Sequence, residues 1–227
     1  MLAIAVVVCS FFLARDAKAL SIKSEVIFDL VFCLVVSGVL GARLFFILLN
    51  LSFFINNPSE IIMIQNGGLA WQGGLIGAGL IGSFYVKKKG LPVLKMLDLC
   101  APYIALGQAI GRIGCFLNGC CFGKQVPWGM YFPVHDANLH PTQLYLTGGF
   151  SVIFIILKLY QKKSMISGQV FVLYLVLAPM WRFIIEFFRA DHTQTFLGLS
   201  VFQFMCLGIM GVGVYVYSNL KSFVGKK

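Results

Sequence analysis

The sequence has 227 residues, 59% of them hydrophobic and only 11% charged, with a formal net charge of +10 and a mean hydropathy of +0.89. A soluble domain typically carries about 25% charged residues, so this chain lacks the polar surface to cover itself in water. The positive charge does not read as a nucleic-acid face. Most lysines stand in short clusters between apolar runs, where membrane proteins carry their topology anchors.

Seven spans are predicted, giving an all-α polytopic membrane helix bundle that forms a single domain over 1–227. The first is roughly 1–13, closed by Arg15 and Lys18, and the second roughly 26–50. The polar stretch Asn56 to Gly68 follows, then a third span at 69–86 closed by Lys87, Lys88 and Lys89. The fourth covers 96–118, and a long loop runs from 119 to 141. The fifth covers 142–160 before Lys162 and Lys163, the sixth 169–188, and the last 198–218, ahead of a tail with Lys221, Lys226 and Lys227.

The first run is short of the ~17–25 residues a crossing needs, which implies a start further upstream or a shallow end. Ala17-Lys18-Ala19 mimics a signal-peptide cleavage site, but here the charge follows the apolar run instead of preceding it. Thirteen of the eighteen Lys and Arg residues fall on one side of this seven-span scheme. That side is expected to be cytoplasmic, with the N-terminus out, the C-terminus in, and the loops 51–68, 119–141 and 189–197 outward.

Four arginines remain once the anchors are set aside: Arg43, Arg112, Arg182 and Arg189. Each lies within a span or at its outward end, where an ionised side chain is costly and is a functional candidate by default. Arginine presents a planar fork that matches phosphate oxygens, so an outward cluster suits an anionic lipid headgroup.

In Gly111–Gly123, glycines bracket Arg112 and Asn118 at the outer end of the fourth span. This reads either as a polar pocket with close backbone approach or as helix packing through small residues. Arg182 and Glu186 are four apart and share a helix face. They form either a structural ion pair or a carboxylate orienting an arginine towards phosphate. In His140-Pro141-Thr142-Gln143-Leu144-Tyr145, Pro141 suits a helix start and places His140 at the outer mouth of the fifth span. Gly67-Gly68 and Gly73-Gly74 flank Trp71 and Gln72, as tight helix contacts or as a glycine-lined slot with Gln72 as its polar contact.

These stretches, in this order, resemble the prolipoprotein diacylglyceryl transferase family, from Gly41-Ala42-Arg43-Leu44 through the Arg182–Glu186 helix. The family signature reads approximately G-R-x-G-N-F-x-N-x-E-x-x-G, and Gly111, Arg112, Gly114, Phe116, Asn118 and Gly123 match it. The HPxQLY and R-F-I-x-E-F-F-R elements match at His140 to Tyr145 and at Arg182 to Arg189. The resemblance implies transfer of the diacylglyceryl group of phosphatidylglycerol to the lipobox cysteine of a prolipoprotein, forming a thioether. The enzyme would work in the bacterial cytoplasmic membrane with its site facing outward. No redox, nucleotide or metal cofactor and no nucleic-acid partner is expected.

Such a reaction needs cations on the departing phosphate and a route for the thiol proton. The resemblance implies Arg112, Arg182, Glu186 and His140 as the catalytic group, with Arg112 and Arg182 on the phosphate and Glu186 holding Arg182. It implies Asn118 and Gln143 on headgroup hydroxyls, Arg43 and Arg189 drawing the lipid in, and Gln72, Gly73 and Tyr145 lining the substrate.

Three positions depart from the family. Cys115 replaces Asn, Cys120 replaces Glu, and Gln72 stands where many members have His. An amide does not titrate usefully, so the proton acceptor is unassigned. Cys115, Cys120 and Cys121 read as small packing residues, as a disulfide, or as a metal site; C-x4-C-C without a local histidine is a poor zinc spacing. The alternatives to an active transferase are a catalytically altered lipid- or lipoprotein-binding relative, and a transporter with an arginine-lined slot. No inverted repeat or paired broken helices support the transporter.

Overall fold

The computed structural model describes residues 1–63, 67–190, 194–196 and 198–224, with 194–196 and 221–224 by backbone alone. Lys226, Lys227, the side chain of Lys221 and the centre of the 189–197 loop lie outside the described residues. The apolar runs become helices because a backbone removed from water must satisfy its own N–H and C=O groups. They are α1 (Leu2–Lys18), α2 (Ser24–Leu49), a short α3 (Leu51–Asn56), α4 (Trp71–Lys88), α5 (Val93–Leu117), α6 (Thr142–Gln161), α7 (Gln169–Glu186) and α8 (Val201–Val224).

Among the described residues, α2, α5, α6, α7 and the Val201–Leu220 part of α8 are long and apolar enough to cross a membrane. Helices α1 and α4 have 17 and 18 residues, about 26 and 27 Å at the usual rise, and both end in lysine. Of the two basic residues expected to close the first run, Arg15 lies in the last turn of α1 and Lys18 ends it.

The chain divides into two compact units, Ala14–Val93 and Met1–Leu13 with Leu94–Lys227. In the first, α2 packs on α4 through glycines on both helices. A β-carbon on Gly41 would lie 2.5 Å from the Gly73 carbonyl oxygen, and one on Gly77 2.6 Å from that of Ser37. Small residues let helix backbones approach this closely where no hydrophobic force drives them together. Gly73, expected in a substrate slot, therefore spends its missing side chain on this contact.

The loop between α2 and α4 is gathered by Arg43. Its Nε donates to Ile61 O at 3.2 Å, Nη1 to Gly67 O at 2.6 Å and Gly68 O at 3.0 Å, and Nη2 to Met63 O at 3.2 Å and to Glu60 O. A guanidinium has five N–H donors, and backbone carbonyls take all of them. Phe46 and Phe54 flank the cation, with ring centroids 5.9 and 5.3 Å away. The fork expected to attract lipid thus holds the loop instead.

In the second unit, α5, α6 and α7 share one apolar core. Ala101, Ala105 and Ala109 face Leu146, Phe150, Ile153 and Leu157 of α6 and Val170, Ala178 and Ile185 of α7. Spacings of three and four place each set on one helix face. Asp98 ties α5 to the start of α7, accepting from the Gly168 amide at 2.5 Å and the Phe171 amide at 2.8 Å, groups that a helix end leaves without partners.

The 119–141 segment, expected as a plain loop, contains an antiparallel hairpin of β1 (Gln125–Phe132) and β2 (Ala137–Leu139). At its tip the Tyr131 hydroxyl donates to Asp136 Oδ1 at 2.6 Å, and that bond pushes the phenol above its ordinary range. A second short pair, β3 (Gln194–Phe196) and β4 (Leu199–Ser200), precedes α8.

Gly41→Val should overpack the α2–α4 contact and destabilise the protein by about 1–3 kcal/mol. Thermal unfolding in detergent should show a lower midpoint, and an unchanged midpoint would mean that the helices do not need this approach.

Candidate active site

The glycine-rich end of α5 closes in a specific turn. The Cys120 amide donates to Cys115 O at 3.1 Å and the Gly119 amide to Phe116 O at 3.1 Å, with Gly119 at φ +66°. This is the double bond pattern of a helix ended by a left-handed glycine. Cys121 also has positive φ, +62°, which is uncommon for a residue with a β-carbon.

The chain is then stitched to two other helix ends. The Gly123 amide donates to His140 O at 2.9 Å, Lys124 to Phe188 O at 2.8 Å, and His140 to Lys124 O at 3.1 Å. A β-carbon on Gly123 would lie 2.5 Å from both Phe188 O and His140 Cβ, so only glycine fits. From the first turn of α6, Thr142 Oγ1 donates to Cys121 O at 2.8 Å and Gln143 Nε2 to Cys120 O at 2.6 Å. Three motifs far apart in sequence meet through main-chain bonds.

The charges gather at the same helix ends. Glu186 is 1% exposed and pairs with Arg182 Nη2 at 2.6 Å, with Arg189 Nε 3.8 Å away. Ser200 Oγ donates to Glu186 Oε1 at 3.4 Å. Arg112 and Arg189 are both close enough to act on the charge of Arg182. Three guanidinium groups against one carboxylate leave a local excess of positive charge. Two buried polar atoms, Arg182 Nη1 and Gln143 Oε1, have no hydrogen-bond partner among the described residues. Such atoms are costly unless something fills their vacancy.

His140 lies elsewhere on this scaffold. It is 6% exposed, with Nδ1 3.2 Å from the Tyr145 hydroxyl and rings of Trp128 and Phe188 packed edge-on at 4.7 and 5.3 Å. It borders a cavity of about 840 Å³ between α6 and α7, whose walls include Gly148, Gly149, Val152, Ile156, Met180 and Ile184. Gly149 is obligatory here, because the Trp181 indole occupies the place a side chain would take. Trp181 Nε1 in turn donates to Tyr145 O at 3.2 Å.

Of the residues expected from sequence, Arg112, Arg182, Glu186 and Arg189 share one electrostatic neighbourhood. Gln143 is stitched to the turn, and His140 and Tyr145 border the cavity. Asn118 is exposed at the α5 terminus, and Gln72 is half-buried in the first turn of α4. Sequence reasoning missed Ser200 and Gln203. The Ser200 amide donates to Gln203 Oε1 at 2.8 Å and the Gln203 amide to Ser200 Oγ at 3.2 Å. That reciprocal cap is signalled by Ser followed three residues later by Gln before an apolar run, and it also positions Ser200 against Glu186.

The family described as prolipoprotein diacylglyceryl transferase matches residues 1–218. A Clostridium tetani protein named phosphatidylglycerol–prolipoprotein diacylglyceryl transferase is 36% identical over 225 residues, covering 96% of this chain and 90% of its own. Proteins of the same name from Clostridioides difficile and Geobacter sulfurreducens are 37% and 35% identical. The alignments cover 92% and 85% of this chain and 84% and 76% of theirs.

Glu186→Ala should strand Arg182 as an uncompensated buried charge and cost about 3–5 kcal/mol of stability. Loss of helical circular dichroism at lower temperature would register it; an unshifted melt would show that Arg182 does not depend on Glu186.

Proposed function

The chain belongs to the prolipoprotein diacylglyceryl transferase family, and we propose that its three clustered arginines grip the phosphate of the lipid donor. It is a multi-pass membrane enzyme of bacteria that transfers the diacylglyceryl group from phosphatidylglycerol to prolipoproteins. In this reaction a cysteine sulfur of the prolipoprotein bonds to the terminal carbon of the diacylglyceryl group. The carbon–oxygen bond to phosphate breaks, and glycerol phosphate leaves with the electron pair.

Charge develops on the phosphate as that bond breaks, so preorganised donors aimed at it lower the barrier. The observation that carries the reading is Arg182. One of its terminal nitrogens is paired to Glu186, and the other is buried with no partner among the described residues. A phosphate oxygen is the acceptor it lacks. Arg112 supplies a second cation, and Arg189 draws the anionic lipid towards the pair. Glu186 is a positioning residue that fixes Arg182, and Ser200 steadies Glu186. Gln143 offers its unpartnered carbonyl oxygen to a headgroup hydroxyl, and Asn118 serves the same headgroup from the turn. The apolar cavity between α6 and α7 takes acyl chain, with His140 and Tyr145 at a polar edge of its wall.

The topology belongs to the same proposal. Seven crossings, with α1 and α4 as the two short ones, put the lysine-rich ends in the cytoplasm and the arginine cluster outward in the cytoplasmic membrane. There the lipobox cysteine of a signal peptide meets the lipid.

Membranes containing the protein should convert a lipobox peptide to a diacylglyceryl adduct when given phosphatidylglycerol, and mass spectrometry reads the product. The adduct should vanish when the peptide's cysteine is replaced by alanine. Arg112→Ala and Arg182→Ala should each lower transfer by about 10²–10³-fold with membrane insertion retained. Arg182→Lys should recover little, because a lysine lacks the fork. Near-normal transfer in either alanine variant removes that arginine from the mechanism.

A further inference from the structure

We propose that Cys115, Cys120 and Cys121 form a three-thiolate site for a thiophilic cation of the zinc class, with its fourth coordination position open. The three sulfur atoms all lie within 4.8 Å of one another, each half-buried. Tetrahedral zinc with zinc–sulfur bonds of about 2.3 Å needs its sulfurs about 3.8 Å apart, which small side-chain rotations supply.

The convergence comes from the backbone. The bond from the Cys120 amide to Cys115 O folds residue 120 back over residue 115. Successive side chains on an extended strand point to opposite sides, but the left-handed Cys121 backbone lets two consecutive sulfurs share one side. The turn is also rigidly held, because Thr142 and Gln143 bind the Cys121 and Cys120 carbonyls. A site built on supporting hydrogen bonds keeps its ligands in place. The C-x4-C-C spacing reads poorly as a zinc motif, and this fold supplies what the spacing lacks.

Charge favours occupation. Three thiolates around a divalent cation carry a net −1, and Arg112 acts electrostatically on Cys115 from one turn earlier in α5. Binding releases three protons as three S–H bonds become sulfur–metal bonds.

The role of the open position rests on the transferase reading. The substrate thiol must lose its proton, and this chain has Gln72 and Cys120 where its family commonly has titrating side chains. A thiol that coordinates such a cation is deprotonated outright. The prolipoprotein cysteine would enter the fourth position and release its proton to water. Its sulfur would then bond to the lipid carbon while the carbon–oxygen bond breaks towards the phosphate held by Arg112 and Arg182.

The test uses the full chain purified in detergent under reducing conditions, loaded with Zn²⁺ and dialysed against metal-free buffer. Elemental mass spectrometry should find one zinc retained per chain, and Co²⁺ in its place should give thiolate-to-cobalt charge-transfer absorption. Cys115→Ser, Cys120→Ser and Cys121→Ser should each lower zinc affinity at least tenfold while the helical circular dichroism holds. Cys33→Ser and Cys206→Ser, outside the cluster, should leave it unchanged. Release of all zinc by protein whose thiols react freely, or a native Cys115–Cys120 disulfide in peptide maps, overturns the site. Transfer that survives removal of the cation overturns its role in thiol activation. Absence of transfer by fully loaded protein overturns the transferase reading and supports the site alone.

Discussion

Gly123 donates its amide to the His140 carbonyl and lies so close to the Phe188 carbonyl that no side chain fits there. Everything proposed for the arginine cluster depends on that meeting of backbones. The outer ends of α5, α6 and α7 have to be joined, and no apolar packing does this at a polar rim. Main-chain hydrogen bonds join them instead, and the polar side chains inherit their positions. Thr142 and Gln143 reach the cysteine turn because α6 starts where Gly123 ends. Arg189 stands beside Glu186 in the turn that ends α7, where its amide donates to the Glu186 carbonyl, and residues 188–189 also run against 123–124.

The second constraint is electrostatic. A buried carboxylate and a buried guanidinium each lose hydration, and pairing restores part of that loss. One carboxylate cannot serve three guanidinium groups, so Glu186 fixes the direction of Arg182 and leaves positive charge over. In the other unit Arg43 shows the contrasting solution. Its five donors end on five carbonyls, and the surplus charge is spread over aromatic faces. Buried Arg43 and half-buried Arg182 thus contrast, one spending every donor on a loop and the other leaving Nη1 without a partner among the described residues.

The helices were legible in sequence because apolar runs bounded by lysine or proline leave few choices. The second span, read as 26–50, is Ser24–Leu49, and the fifth, read as 142–160, is Thr142–Gln161. The charged and amide residues proposed for the site are legible through a family resemblance and the rarity of charge in apolar runs. What could not be read was whatever depended on a distant backbone. The hairpin at 125–139 has short strands that expose most of their residues, so it shows no apolar alternation. Arg43 looked like a ligand arginine because its partners are carbonyls, which every residue has. In sequence Gly73 fits a slot or a contact equally well, and only the approach of the Gly41 backbone distinguishes them. The Ser200–Gln203 cap is written in the sequence as Ser followed three residues later by Gln.

The cavity between α6 and α7 is walled partly by Val152, Ile156, Met180 and Ile184, each of which also faces outward from the protein. Its opening is therefore sideways, into whatever surrounds the helices. A donor lipid entering there never leaves the bilayer, so its arrival is a search in two dimensions. The quantity governing encounter is then the lipid's mole fraction among its neighbours, and diluting the membranes in buffer leaves that unchanged.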